Sequence, residues 1–186
     1  MDFQENVIDL YVAASMEFER RLKGVREWTA ATPCSEWDVR RLVNHMVRGN
    51  VNYVALLNGA EAAEFLRLRE ADALGDDPVG AYGTSVREFV EAFGRPEAWQ
   101  RRLDYPLGKV KAGQAVAVRM TDTVIHTWDL ARATHTDDTL RPELVEWIEE
   151  NAAAIYEGLE GMQRFFGSST RAGESKQDRL LRRMGR

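Results

Sequence analysis

Apolar residues recur at intervals of three and four along most of this chain, and this spacing favours helices throughout. Residues three and four apart share one face of an α-helix, so that face becomes apolar while the opposite face stays polar. Only five prolines occur among the 186 residues, which leaves long helices uninterrupted. The pattern predicts five long helices, at residues 4–26, 35–57, 78–93, 114–134 and 142–160.

Helices of this length joined by short loops are typical of an all-α fold. We expect the first four helices to form an antiparallel four-helix bundle, with residues 142–160 packed beside it. Residues 61–72 suit one further short helix. The Gly- and Pro-containing segment 101–112 suits an irregular loop with two short strands.

Local signals predict where the helices begin and end. Ser35 is a preferred N-cap residue, and Glu36 and Asp38 follow it in the first turn, so the second helix is predicted to begin at Ser35. Pro78 suits the first turn of the next long helix. Gly94 suits the position just after its last turn.

Composition changes near the C-terminal end of the chain. From residue 167 onward the sequence is rich in Ser, Gly and charged residues. We therefore predict a bundle domain at residues 1–166 and a C-terminal tail at residues 167–186. The tail is predicted to be partly helical, around residues 179–183.

Charge and hydropathy exclude two classes of partner. The formal net charge is −5, whereas a nucleic-acid-binding domain usually carries a basic face. No run reaches the roughly 18 apolar residues of a membrane span. We therefore expect neither nucleic acid nor a membrane as a partner. Residues 1–6 are acidic and polar, unlike a signal peptide.

The single cysteine, Cys34, indicates the compartment. One thiol cannot form an internal disulfide, and it excludes zinc motifs that need several cysteines. Such cysteine usage is typical of a reducing compartment. We expect a cytoplasmic protein, present as a monomer or a homodimer.

Asp122 and His126 form the first candidate for a chemical site. They lie four residues apart in the predicted helix 114–134, and side chains at that spacing project from one face about one turn apart. A carboxylate and an imidazole so placed can bind one metal ion, as paired helical ligands do in zinc enzymes. The alternative is a solvated polar pair without a metal.

His45 is the candidate third ligand in a chain with three histidines. It flanks the apolar stripe of the predicted helix 35–57, between Leu42 and Met46, so its side chain is expected to point partly into the bundle. Ligands from two facing helices fit the metal sites of bundle cores. Three protein ligands leave positions open for water or substrate. The alternative is a histidine at the edge of the core, bonded to a neighbour.

Two further residues are weaker candidates. His135 follows the end of its predicted helix, where a cation suits the helix dipole, and is expected at the surface. Cys34 lies eleven residues before His45, about 16 Å along a helix at 1.5 Å per residue. We therefore expect Cys34 to be too far away to act as a ligand.

The residues around His126 allow two interpretations. Asp129 and Arg132 either orient the imidazole from behind or form an exposed ion pair with each other. Trp37 and Trp128 are expected in the core rather than in the site.

Two sequence blocks resemble a known family. Residues 32–45, TPCSEWDVRRLVNH, resemble the block TPC-x-x-W-x-V-x-x-L-x-x-H of actinobacterial DinB-like metal-binding proteins. Residues 126–134, HTWDLARAT, resemble the second block of that group, H-x-W-D-L-A-R-A-T. The C-terminal residues 177–181 and 185–186 also resemble that group, so the resemblance covers nearly the whole chain.

The resemblance implies a fold and a ligand set. The group belongs with the N-terminal domain of mycothiol-dependent maleylpyruvate isomerase and with the DinB/YfiT-like four-helix bundles of up-down-down-up topology. By that pattern His45, Asp122 and His126 are implied as ligands of a divalent metal, usually zinc. The isomerase-like members carry Glu where this chain has Asp122. Asp is one methylene shorter than Glu, so the identity of the metal is left open, with nickel, iron and manganese as alternatives to zinc.

The resemblance implies a function as well. Related bundles use the metal to bind the sulfur of a low-molecular-weight thiol such as mycothiol, which then attacks a small-molecule electrophile. The first hypothesis is therefore a metal-dependent thiol transferase or isomerase. The second is a non-catalytic bundle that binds a metal or a small ligand. A bundle with no metal is a third.

Overall fold

The computed structural model describes residues 3, 6–159, 161 and 174–186, and this part of the chain is mostly helical. Its α-helices are α1 (Asn6–Leu22), α2 (Val39–Leu57), α3 (Ala62–Leu68), α4 (Pro78–Phe93), α5 (Ala112–Ala133), α6 (Pro142–Ile155) and α7 (Lys176–Arg183). The helical content confirms the all-α expectation in its broad form.

A small hairpin interrupts the helices. A 3₁₀ helix, Pro96–Gln100, leads into strands β1 (Arg102–Tyr105) and β2 (Gly108–Lys111). The strands pair antiparallel, with Leu103 opposite Val110, and both of these side chains are buried. The two short strands expected within residues 101–112 are therefore present.

The predicted start of the second helix is wrong by four residues. Helix α2 begins at Val39, and the side chain of Asp38 caps it by accepting a hydrogen bond from the Arg41 amide at 2.8 Å. Residues 34–37 form a turn instead, in which the Trp37 amide donates to the Cys34 carbonyl at 2.8 Å. Both Ser35 and Asp38 are preferred N-cap types, so residue type alone could not choose between them.

The predicted bounds of α4 are confirmed. The helix begins at Pro78, after Asp77 has capped it by accepting from the Gly80 amide at 2.9 Å. It ends at Phe93, directly before Gly94.

Four helices contact one another in a closed ring. Helix α1 packs against α4 and α5, and α2 packs against the same two helices. Aromatic pairs join α1 to α4, with ring centroids 4.3 Å apart for Tyr11 and Phe89 and 4.8 Å apart for Phe18 and Tyr82. Most of α5 is buried, and α6 packs against it. Polar side chains on α5 are therefore mostly buried and need partners within the protein.

The predicted boundary between domain and tail, at residues 166 and 167, lies outside the described residues. Beyond it, helix α7 packs back against α6. Leu180 and Leu181 are buried there, and Arg179 and Arg183 both contact Glu149, at 2.5 and 3.0 Å. This packing holds α7 against the rest of the helical fold. None of the described helices is both long enough and apolar enough to cross a membrane.

Candidate metal centre

The three predicted ligands converge where α2 packs against α5. His45 Nε2 lies 3.1 Å from Asp122 Oδ2, and His126 Nε2 lies 3.3 Å from Asp122 Oδ1. The ligand-type atoms of the three residues all lie within 4.8 Å of one another. Helix α2 supplies one imidazole, and α5 supplies the carboxylate and the other imidazole one turn apart.

These spacings fit a small divalent ion. Around zinc, with bonds of about 2.0–2.1 Å in tetrahedral geometry, neighbouring ligand atoms lie about 3.3–3.4 Å apart. The Asp122 carboxylate lies at similar distances from the two imidazoles, with Oδ2 3.1 Å from His45 and Oδ1 3.3 Å from His126. With one ligand atom from each residue, the three atoms lie within 4.8 Å of one another, so small side-chain shifts would bring them to the zinc spacing. Two imidazoles and one carboxylate are also a donor set that zinc accepts, with a fourth position left for another ligand.

The site is open on one side. The side chain of Asp122 is 34% exposed and that of His45 is 25% exposed, whereas His126 is only 6% exposed. A cleft of about 690 Å³ adjoins all three residues. Its other walls carry Cys34, Ser35, Glu36, Trp37, Arg41, Arg69, Glu70 and Arg186.

Asp129 holds His126 from behind. Its fully buried carboxylate lies 2.8 Å from His126 Nδ1. Such a carboxylate fixes the imidazole tautomer, so that Nε2 faces the opposite side. Of the two interpretations, the exposed pair of Asp129 with Arg132 is wrong, because Arg132 contacts Asp138 at 3.1 Å and lies over the Trp128 ring.

Arg186 reaches the same carboxylate from the end of the chain. Its Nε lies 2.7 Å from Asp129 Oδ1, and one of its terminal nitrogens lies 2.7 Å from Asp129 Oδ2. The guanidinium thus forms a bidentate ion pair with the carboxylate, which is stronger than a contact to one oxygen. Sequence reasoning did not assign Arg186 to the site. The resemblance of residues 185–186 to the family was the available signal, but it did not indicate a contact with Asp129.

The expectation that Cys34 lies far from the site is wrong. Its Sγ lies 3.4 Å from Asp129 Oδ2 and 2.9 Å from a terminal nitrogen of Arg186. The 16 Å estimate assumed a helix through Ser35, whereas the turn before α2 folds Cys34 back toward α5. Cys34, His126 and Asp129 thereby form a second group whose ligand-type atoms lie within 4.8 Å of one another.

Trp37 is packed against the core, as predicted, and also covers the two histidines. Its half-buried ring lies 4.7 Å from the His45 ring and 5.7 Å from the His126 ring, between centroids. An indole in this position keeps bulk water from the faces of both imidazoles. Trp128 is half-buried against the core, and His135 is exposed as predicted.

Arg119 is the second residue that sequence reasoning missed. Its side chain is 1% exposed, and its Nη1 lies 2.5 Å from Asp122 Oδ2. It also donates from Nε to Asn50 Oδ1 at 2.8 Å and from Nη2 to the Met46 carbonyl. Its position three residues before Asp122 in an apolar helix was the available signal, because side chains at that spacing are neighbours.

Electrostatics set different protonation preferences for the two histidines. Burial disfavours the charged form of His126, but Asp122 and Asp129 outweigh it and raise its pKa well above the usual value. Burial lowers the pKa of His45, and Asp122 offsets this only in part. Burial also opposes ionisation of Asp122, yet the two histidines hold its pKa well below the usual range. The protonated form of His126 is therefore favoured, and a metal that binds there competes with this proton.

Comparison with known proteins assigns this chain to a family. The chain matches the family model described as the mycothiol maleylpyruvate isomerase N-terminal domain over residues 11–131. That range contains all three candidate ligands and Asp129. No solved structure matches the chain significantly.

Two uncharacterized proteins of Mycobacterium tuberculosis are also similar, one from strain CDC 1551 / Oshkosh and one from strain H37Rv. Each is 36% identical over 123 residues, which cover 66% of this chain and 62% of the relative. The match thus spans less than two thirds of the length of these relatives. Because the family model covers well over half of this chain, the protein belongs to the mycothiol maleylpyruvate isomerase N-terminal domain family.

Proposed function

We propose that this protein binds one divalent metal ion, with zinc as the first candidate, through His45, Asp122 and His126. We further propose that it uses the metal to activate a low-molecular-weight thiol such as mycothiol. One observation carries the proposal: three ligand-type atoms converge within 4.8 Å on the wall of an open cleft. We also propose that the helices form a bundle of up-down-down-up topology. The ring of contacts among α1, α4, α2 and α5 supports this topology.

Each residue of the site has a distinct role in the proposal. His45 and His126 supply neutral nitrogen ligands, and Asp122 supplies a negative oxygen. Asp129 keeps Nε2 of His126 free of its proton once the metal is bound, because Nδ1–H donates to it. Arg186 holds Asp129 in place through both carboxylate oxygens. Trp37 shields the two imidazole faces from water.

A zinc ion held by His45, Asp122 and His126 would act as a Lewis acid and lower the pKa of a thiol bound to it, so that the thiol would be a thiolate at neutral pH. In the transfer step, the sulfur lone pair forms a carbon–sulfur bond to the electrophile, and the leaving group departs with the pair of the broken bond. In an isomerisation, the sulfur adds to a conjugated double bond and leaves again after rotation. The protein then needs no nucleophile of its own, and the thiol proton passes to solvent.

The composition of the cleft favours a catalytic site over simple metal storage. Polar and charged side chains from Ser35, Glu36, Arg41 and Glu70 line it. Such groups can bind the sugar or peptide part of a thiol by hydrogen bonds. A closed site with every position taken by protein ligands would favour the non-catalytic alternative instead.

The contact between Arg119 and Asp122 supports the alternative in which the protein binds no metal. Asp122 lies 2.5 Å from this buried guanidinium, and a buried cation requires a counter-ion. Asp122 therefore has a structural role whether or not a metal binds. The two roles are separable, since the counter-ion role does not involve His45 or His126.

Elemental analysis of protein purified without a His-tag tests the proposal. We expect about one divalent metal per chain in the wild type and little in His45→Ala and His126→Ala. His135→Ala is the matched control, because His135 is exposed and outside the site, and it should keep its metal. Equal metal content in all four proteins, or none after incubation with zinc, would refute the proposal.

A further inference from the structure

A second cavity adjoins the candidate metal centre. It has a volume of about 290 Å³, and His45 and Asp122 form part of its wall. The rest of the wall is mostly apolar and aromatic, unlike the charged wall of the cleft described above. The residues that give it this character are Tyr53, Phe65, Tyr105, Leu107, Val118 and Tyr156.

Three rings form one wall of this cavity. The Tyr53 ring lies 5.5 Å from Tyr105 and 5.9 Å from Phe65, and Phe65 lies 5.7 Å from Tyr105. These are distances at which aromatic rings support one another in tilted and edge-to-face arrangements. Burial raises the pKa of both Tyr53 and Tyr105, so both phenols stay uncharged at neutral pH.

The three arginines in the wall of this cavity all have partners within the protein. Arg48 donates to the backbone carbonyls of Ala71 and Asp72 at 3.1 and 2.8 Å. Arg69 contacts Glu70 at 3.4 Å. Arg119, the third cation in the wall, is paired with Asp122. Arg69 and Arg119 thus each contact a carboxylate, whereas Arg48 is held by uncharged carbonyl groups.

The candidate metal centre lies where the cleft and the pocket meet. His45, Arg69 and Asp122 line both spaces, whereas the aromatic residues line only the pocket and Cys34 and Arg186 line only the cleft. A molecule in the cleft and a molecule in the pocket would thus approach the same point from two sides. Two compartments of opposite polarity suit two substrates of opposite polarity.

We propose that the aromatic pocket binds the electrophilic substrate and that this substrate carries an uncharged ring, while the polar thiol occupies the cleft. The inference rests on the proposed function for the roles of the two substrates. An apolar cavity of about 150 Å³ holds benzene, so 290 Å³ accommodates one substituted or fused ring. The pocket thereby selects the substrate, and the metal centre acts on the group that the ring carries toward His45 and Asp122.

Fluorescence titration with 2-naphthol tests the pocket independently of catalysis. We expect saturable binding of one molecule per chain. 2-Naphthoate, which has the same ring but a negative charge, should bind at least tenfold more weakly. Tighter binding of the carboxylate would overturn the inference, because it would mean that the arginines and not the rings select the ligand.

Val118→Phe tests the location. Val118 lines the pocket four residues before Asp122, and the added ring should fill the space and weaken 2-naphthol binding at least tenfold. Val51→Phe is the matched control, since Val51 is exposed on α2 and outside the pocket, and it should bind as the wild type does. Leu107→Trp should fill the same pocket from the side of the hairpin. It is the second test variant, used if Val118→Phe does not fold.

The outcomes separate the two proposals. If 2-naphthol does not bind, or if both folded pocket variants bind it as the wild type does, the aromatic pocket is refuted whatever the metal content. If the pocket binds 2-naphthol but the protein takes up no zinc, the inference about substrate roles falls together with the proposed function. If both bind, 2-naphthol should compete with an aromatic electrophile and not with the thiol, and competition with the thiol would overturn the assignment.

Discussion

Replacing Asp122 with Asn should destabilise the metal-free protein. The substitution keeps the shape of the side chain and removes the negative charge that lies 2.5 Å from Arg119. The side chain of Arg119 is 1% exposed, so water cannot solvate its charge once the carboxylate is removed. The contacts of Arg119 with Asn50 and with the Met46 carbonyl remain, but neither of them carries a charge.

The magnitude follows from the burial of the two partners. Removing one partner of a buried ion pair costs about 3–5 kcal/mol. The side chain of Asp122 is 34% exposed, so water screens part of the interaction and the lower end, about 3 kcal/mol, is the appropriate estimate. For a chain of this size that corresponds to a fall in Tm of about 6–12 °C.

Thermal unfolding followed by circular dichroism in the presence of a chelator measures this effect without any metal. Asp138→Asn is the matched control, because Asp138 pairs with an exposed arginine, Arg132, and is itself 36% exposed. Its loss should change stability by less than about 0.5 kcal/mol. A Tm for Asp122→Asn within about 2 °C of the wild type would refute the counter-ion role of Asp122.

Three further predictions follow from the contacts of the site. Asp129→Asn should weaken zinc affinity by about 10- to 100-fold in a competition titration with a chelator, because it removes the group that orients His126; unchanged affinity would contradict that role. Zinc affinity should fall as the pH drops below the raised pKa of His126, because the metal must displace a proton there; binding without proton release at pH 6 would contradict the assignment. Gly49→Ala should lower stability by about 1–3 kcal/mol, since a Cβ there would lie 2.6 Å from the Arg119 guanidinium. Gly83→Ala, where the Cβ would meet only an ordinary contact at 3.6 Å, should not lower stability.

The sequence predicted the helices and the pairing of Asp122 with His126 because both depend on local periodicity. Apolar spacing together with Pro78 and Gly94 predicted α4 to the residue, and the four-residue spacing placed Asp122 and His126 on one face of α5. That His45 would face them depended on the resemblance to a family as well as on its position beside an apolar stripe.

The missed residues depend on contacts between distant parts of the chain. Cys34 and Trp37 reach the site through the turn at residues 34–37. This turn forms because Asp38 caps α2 in place of Ser35, and the sequence does not show which of the two is the cap. Arg186 lies 57 residues beyond Asp129, and no periodicity relates the two. Arg119 was not singled out from the sequence, because a buried arginine is uncommon and is recognised only when its counter-ion is known.

X-ray absorption at the zinc edge tests the central claim most directly, because it distinguishes the two groups of ligand-type atoms. With zinc at His45, Asp122 and His126, the spectrum should contain nitrogen and oxygen neighbours at about 2.0–2.2 Å and no sulfur. Addition of a low-molecular-weight thiol should introduce one sulfur neighbour at about 2.3 Å, also in Cys34→Ser. A sulfur neighbour before the thiol is added would place the metal on Cys34 instead, and a spectrum unchanged by the thiol would contradict thiol activation at this site.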